Sequence, residues 1–72
     1  MIKATYIYSF NEWSGKPKRL LESKSDCTIK GYGVSTDTVT LCVLYNTEVG
    51  FQELTKILNN KFKLNPDNIQ RY

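Results

Sequence analysis

The stretch Thr38-Val-Thr-Leu-Cys-Val-Leu-Tyr45 constrains this chain more than any other. β-Branched and aromatic residues in a short run without Gly or Pro read as a strand over 38–45. Its later half is apolar on both sides, through Leu41, Cys42, Val43, Leu44 and Tyr45. A strand covered on both faces reads this way. The chain has 72 residues, enough for one domain that buries only about 60% of its unfolded surface. It offers one long amphipathic helix, and one helix cannot cover two faces of a sheet. The second face is therefore expected to be shielded either by a long loop or by a second copy of the chain. Below about 80 residues, association is a common supplement to a small core.

Two further strands are legible. From Ile2 to Phe10, the residues Ile2, Ala4, Tyr6, Tyr8 and Phe10 share one face, with Lys3, Thr5 and Ser9 beside Ile7 on the other. From Cys27 to Val34, Cys27 and Ile29 point one way and Thr28, Lys30, Tyr32 and Val34 the other. Gly31 and Gly33 weaken this strand and suggest a bulge or a close backbone approach. A turn near Ser35-Thr36-Asp37 joins it to the strand at 38–45. In neither register of that hairpin do Cys27 and Cys42 come within the roughly 7 Å that a disulfide tolerates, so both are expected as packed thiols.

Asn46-Thr47 is an N-cap signal, and Phe51, Leu54, Leu58 and Phe62 recur at spacings of three and four with Ile57 beside them. Glu48 and Glu53 come early and Lys56, Lys61 and Lys63 late, which matches the helix dipole. Asn65-Pro66 is expected to end the helix. The tail from Asp67 onward either frays or adds a short edge strand through Ile69 and Tyr72, and fraying is the favoured expectation. The expected fold class is α+β: a three-stranded antiparallel sheet (strands about 2–10, 27–34 and 38–45) with one C-terminal amphipathic helix over about 48–64. It forms a single domain, 1–72, with a long basic loop at 11–25 and a C-terminal tail at 66–72. Within the loop Pro17 can open a short helical turn through Glu22, which would dock Leu20 and Leu21 on the core. The expected core comprises Tyr6, Ile29, Leu41, Val43, Phe51, Leu54, Leu58 and Phe62.

The chemistry-bearing residues are few. The chain has no His, which removes the usual neutral-pH base and the commonest metal ligand. The seven acids are scattered, and Cys27 and Cys42 lack an activating base. No catalytic residue, metal site or cofactor is expected, and the chain is not expected to be an enzyme. Ser14-Gly15-Lys16 fails as a phosphate loop because Phe10 and Pro17 stand at both ends of the required pattern. No signal peptide or membrane-spanning run is visible, so the expected location is the cytoplasm, with no membrane partner.

Ten Lys and Arg against seven Asp and Glu give a formal charge of +3, a weak attraction toward polyanions. The most suggestive cluster is Trp13 with Lys16, Lys18, Arg19 and Lys24. A mobile basic loop with an aromatic can grip a phosphate backbone and stack on a base. The alternative reading is that Trp13 anchors the loop to the core while the charges are solvated. A nucleic-acid contact is thus the second candidate function, behind a small non-enzymatic homodimeric module that binds a protein.

The order of elements is a strand, a long loop, a hairpin from Cys27 to Tyr45, and a helix from Glu48 to Leu64. This order resembles that of the YopT-like family of small prophage proteins, which are unrelated to the secreted protease of the same name. The resemblance implies a homodimer whose monomer has three strands and one helix. The family has no assigned activity, so the resemblance carries over no functional residues; a prophage accessory factor binding a host protein is a separate expectation, attached to the interaction module.

Overall fold

A computed structural model describes all 72 residues. The elements run β1 (Ile2–Ser9), α1 (Lys16–Glu22), β2 (Cys27–Ser35), β3 (Thr38–Tyr45), α2 (Glu48–Phe62) and β4 (Asn68–Arg71). The fold is α+β, with an antiparallel sheet in the order β2-β3-β1-β4. β3 and β1 pair along their whole lengths, from Ile2 opposite Tyr45 to Ser9 opposite Thr38. Their inward residues Ile2, Ala4, Tyr6, Val39, Leu41, Val43 and Tyr45 are all buried. Phe51, Leu54 and Leu58 of α2 pack on that layer, as does Leu21 of α1.

The structure corrects the expected count of three strands and one helix to four strands and two helices. Within the segment expected as a loop, Pro17 occupies the first turn of α1. There its fixed φ suits the helix and its missing N–H is no loss. Seven residues would not hold as a helix in isolation; burial of Leu21 and Pro17 supplies what propensity does not. The tail does not fray. Asp67 N–H donates to Thr5 O at 2.8 Å, and the Asp67 carboxylate accepts from Ile7 N–H at 2.8 Å. Those two bonds seat β4 along β1, Asn68 opposite Thr5 through Arg71 opposite Ile2.

β2 carries a bulge between Ile29 and Gly31. Below it, Ile29 faces Val43; above it, Gly31 faces Cys42 and Tyr32 faces Leu41. The extra residue, Lys30, moves Tyr32 and Val34 to the same side as Cys27 and Ile29, against the strict alternation expected. Cys27 and Cys42 end on opposite faces, and both are free thiols.

Thr47 caps α2 as expected, its Oγ1 accepting from Gly50 N–H at 3.0 Å. Gly50 fits closely there: a Cβ would lie 3.0 Å from Thr47 Oγ1 and 3.2 Å from Asp26 Cβ, so a larger residue needs those neighbours to give by a few tenths of an ångström. The helix ends before Asn65-Pro66. Lys63 adopts φ 60°, and Leu64 N–H reaches back to Leu58 O at 3.4 Å. With Lys63 N–H donating to Asn59 O at 2.9 Å this is an αL-type end, and Leu58 and Leu64 are both buried beside it. Of the expected core, Ile29 and Phe62 are only half-buried at its rim.

Leu58 is fully buried between helix and sheet. Leu58→Ala is expected to cost about 2–5 kcal/mol, read as a lowered urea midpoint at unchanged slope. A variant with the parent's midpoint would place the packing face of α2 elsewhere.

Candidate functional site

The structure divides the basic segment into packed and solvated parts. Asn11 Oδ1 accepts from Trp13 N–H at 2.9 Å, and Ser14 Oγ accepts from Asn11 N–H at 2.6 Å, which fixes a tight turn after β1. Ser14 is buried, and its carbonyl accepts from the Tyr8 hydroxyl at 2.6 Å. The turn delivers the Trp13 indole onto the core, stacked with Tyr8 (centroids 5.5 Å apart) and with Phe62 (5.3 Å). Trp13 is thereby engaged inside the fold. Lys18 Nζ pairs with Glu22 at 3.0 Å and lies 5.6 Å from the Tyr32 ring centroid. Lys16 and Arg19 on α1, and Lys24 after it, are exposed.

The more distinctive surface is the other face of the sheet. α1 and α2 touch each other and share one core, so both lie on the same side. Alternation turns Lys3, Thr5 and Ile7 of β1 and Thr40, Cys42 and Leu44 of β3 to the opposite side. No helix packs on them: Ile7 is 51% exposed and Thr40 exposed, while Lys3, Thr5, Cys42 and Leu44 are half-buried. At one end of this face Met1, Lys3, Lys30, Leu44 and Tyr72 line an open cleft of about 460 Å³. The outward Leu44 was the sequence signal for this face. Lys30 and Tyr72 were not recognisable, since their positions depend on the bulge and on β4.

The helix side has a second depression, about 380 Å³, between α2 and β4. It includes Phe51, Thr55, Lys56, Asn59, Pro66 and Ile69 among its walls.

As chemistry, the arrangement is sparse. No three His, Cys, Asp or Glu side chains gather where a metal could be held. Burial, with a smaller contribution from the Asp26 charge, pushes the Cys27 thiol up; its Sγ donates to Leu21 O at 3.3 Å. The Tyr6 and Tyr45 hydroxyls meet at 2.6 Å inside the core. The chain matches no protein-family model, no curated protein and no solved structure.

Burial pushes the Tyr6 phenol up to about 12, with Tyr8 at about 12 and Tyr45 raised as well. A folded-state value above the unfolded one, near 10, means that the neutral phenols stabilise the fold fully below pH 10. That stability is lost as pH rises from about 10 through 12. Alkaline titration followed at 295 nm should show these tyrosines ionising late and together with loss of the near-ultraviolet dichroism. Ionisation of all five tyrosines near pH 10 with the fold intact would contradict it.

Proposed function

We propose that the protein is a small interaction module without chemistry of its own, in which two chains pair through the bare sheet face and a partner protein docks elsewhere. The observation that carries this is the placement of both helices on one side of the sheet. The segment between β1 and β2 was one of two covers expected for the second face, and it packs on the first. A second copy is the cover that is left.

The area is adequate. Strands of about eight residues, spaced about 4.8 Å apart, present on the order of 500 Å². Two such faces give about 1,000 Å², the minimum that a specific interface should clear and the size of weak, reversible pairs. Charge favours one orientation. Lys3 and Lys30 gather at the cleft end, whereas Ser9 and Thr38, paired at the far end, are neutral. A two-fold axis running across the strands lays each lysine end on the partner's hydroxyl end. An axis along the strands would stack lysine on lysine, at an electrostatic cost.

The resemblance to the YopT-like family agrees with a pair; a host protein is the proposed class of partner. With the Trp13 indole engaged by Tyr8 and Phe62, Lys16, Arg19 and Lys24 offer a polyanion charge alone, so protein is favoured over nucleic acid.

Sedimentation equilibrium at micromolar concentration should return the mass of two chains. Thr5→Arg and Thr40→Arg, on the bare face, should each return one chain with an unchanged far-ultraviolet spectrum. A monomeric parent protein, or a paired Thr40→Arg, would remove the proposal.

A further inference from the structure

The depression between α2 and β4 raises a question the dimer leaves open. Ile69 stands opposite Ala4, which is fully buried, and so belongs to the core side of the sheet. Yet Ile69 is 41% exposed. The 15-residue helix runs past it without covering it, and the space between them is the groove walled by Phe51, Thr55 and Ile69. It is shallow and open, and two side-chain pairs flank it. Asn59 Nδ2 donates to Asn65 Oδ1 at 2.8 Å at one end. At the other, Arg71 pairs with Glu48 at 3.0 Å and lies 5.5 Å from the Phe51 ring centroid.

The groove runs beside an unpaired strand edge. Tyr72 N–H donates to Met1 O at 3.0 Å. Antiparallel pairs alternate between bonded and non-bonded positions, so Gln70 and Asn68 also bond toward β1. The N–H and C=O groups of Ile69 and Arg71 consequently point away from the sheet. The opposite edge, on β2, is interrupted by the Lys30 bulge, a common device against strand addition. β4 has no such interruption in its register.

We infer that the β4 edge and the α2 groove together bind an extended peptide segment of a partner protein, added as a fifth strand. Its backbone bonds to Ile69 and Arg71, and alternate side chains enter the groove. Main-chain bonds with side-chain pockets at alternate positions are the usual logic of strand addition. From Phe51 to Asn59 the wall rises about 12 Å, which matches roughly four extended residues. Phe51 and Ile69 call for an apolar side chain. Lys56 has no ion-pair partner, whereas Arg71 is neutralised by Glu48. An acidic side chain two positions from the apolar one therefore suits this groove. This specifies the docking half of the function proposed above and does not depend on the pairing of chains.

The test is a titration of the full-length, ¹⁵N-labelled chain with the capped peptide acetyl-Thr-Val-Thr-Glu-Thr-Val-Thr-amide, followed by amide shifts. Saturable shifts are expected at Ile69, Arg71 and Thr55, with a dissociation constant below about 1 mM. Replacing the peptide's Glu by Lys should weaken binding about threefold, and Lys56→Glu should reverse that preference. Thr55→Trp, which fills the groove, should abolish binding; Thr40→Arg, on the bare face, should leave it unchanged even if the dimer is lost. Absence of shifts at Ile69 and Arg71 with both peptides would overturn the inference. So would shifts confined to the bare face, or an edge that responds to protein concentration in place of peptide, which would indicate a second copy there.

Discussion

The contact between the Tyr6 and Tyr45 hydroxyls, 2.6 Å apart in the core, sets the terms for the rest of the molecule. Tyr6 pairs across the sheet with Leu41, and Tyr45 with Ile2. Ala4 and Val43 lie between them in register, and the small Ala4 leaves room for two rings to approach. Each phenol satisfies the other, so two large polar-tipped side chains can be buried without an orphan hydroxyl. A slip of one residue between β1 and β3 would turn one of the two rings to the other face and part the pair. The pair thus ties the register of the central strands to the side on which the helices must pack, and Phe51 meets the Tyr45 ring edge-on at 5.3 Å.

That one-sidedness explains how much of the fold was legible. β1, β3 and α2 carry their burial in their own periodicity, and their buried faces match the pattern read from Ile2 to Tyr6, Val39 to Tyr45 and Phe51 to Leu58. α1 was legible only as a short turn opened by Pro17, because Gly15 and Pro17 punctuate a segment whose helicity depends on Leu21 finding the core. β4 was the less favoured of two readings of the tail, for a different reason. Asn-Ile-Gln-Arg has little strand propensity of its own, and every one of its residues is exposed. It is held by the Asp67 contacts to β1, which no local pattern announces.

The functional surfaces divide along the same line. The apolar character of Leu44 on the outward side of β3 could be read from sequence, so a face in need of cover was foreseeable. The groove was not, because it lies between a helix and a strand that only tertiary contacts reveal. Trp13 was conspicuous in the sequence for its neighbours Lys16, Lys18, Arg19 and Lys24, yet its partners in space are Tyr8 and Phe62. Proximity along the chain left a ligand-facing indole as the second reading behind a core anchor; the Asn11–Ser14 turn directs the ring onto the core.

The strand order β2-β3-β1-β4 also bears on how the chain reaches this state during synthesis. Of the four strands, β1 leaves the ribosome first, yet it ends as an inner strand with a neighbour on each side. Its partners arrive late: Ser9 waits for Thr38, and Ile2 waits for Tyr45 and then Arg71. The β2–β3 hairpin closes locally and quickly, whereas β1 must stay unpaired until most of the chain has been made. Throughout that interval it exposes two edges and the alternating Tyr and Ile residues that favour intermolecular pairing. The central position of the earliest strand makes the nascent chain, rather than the finished domain, the stage at which this protein is most prone to aggregate.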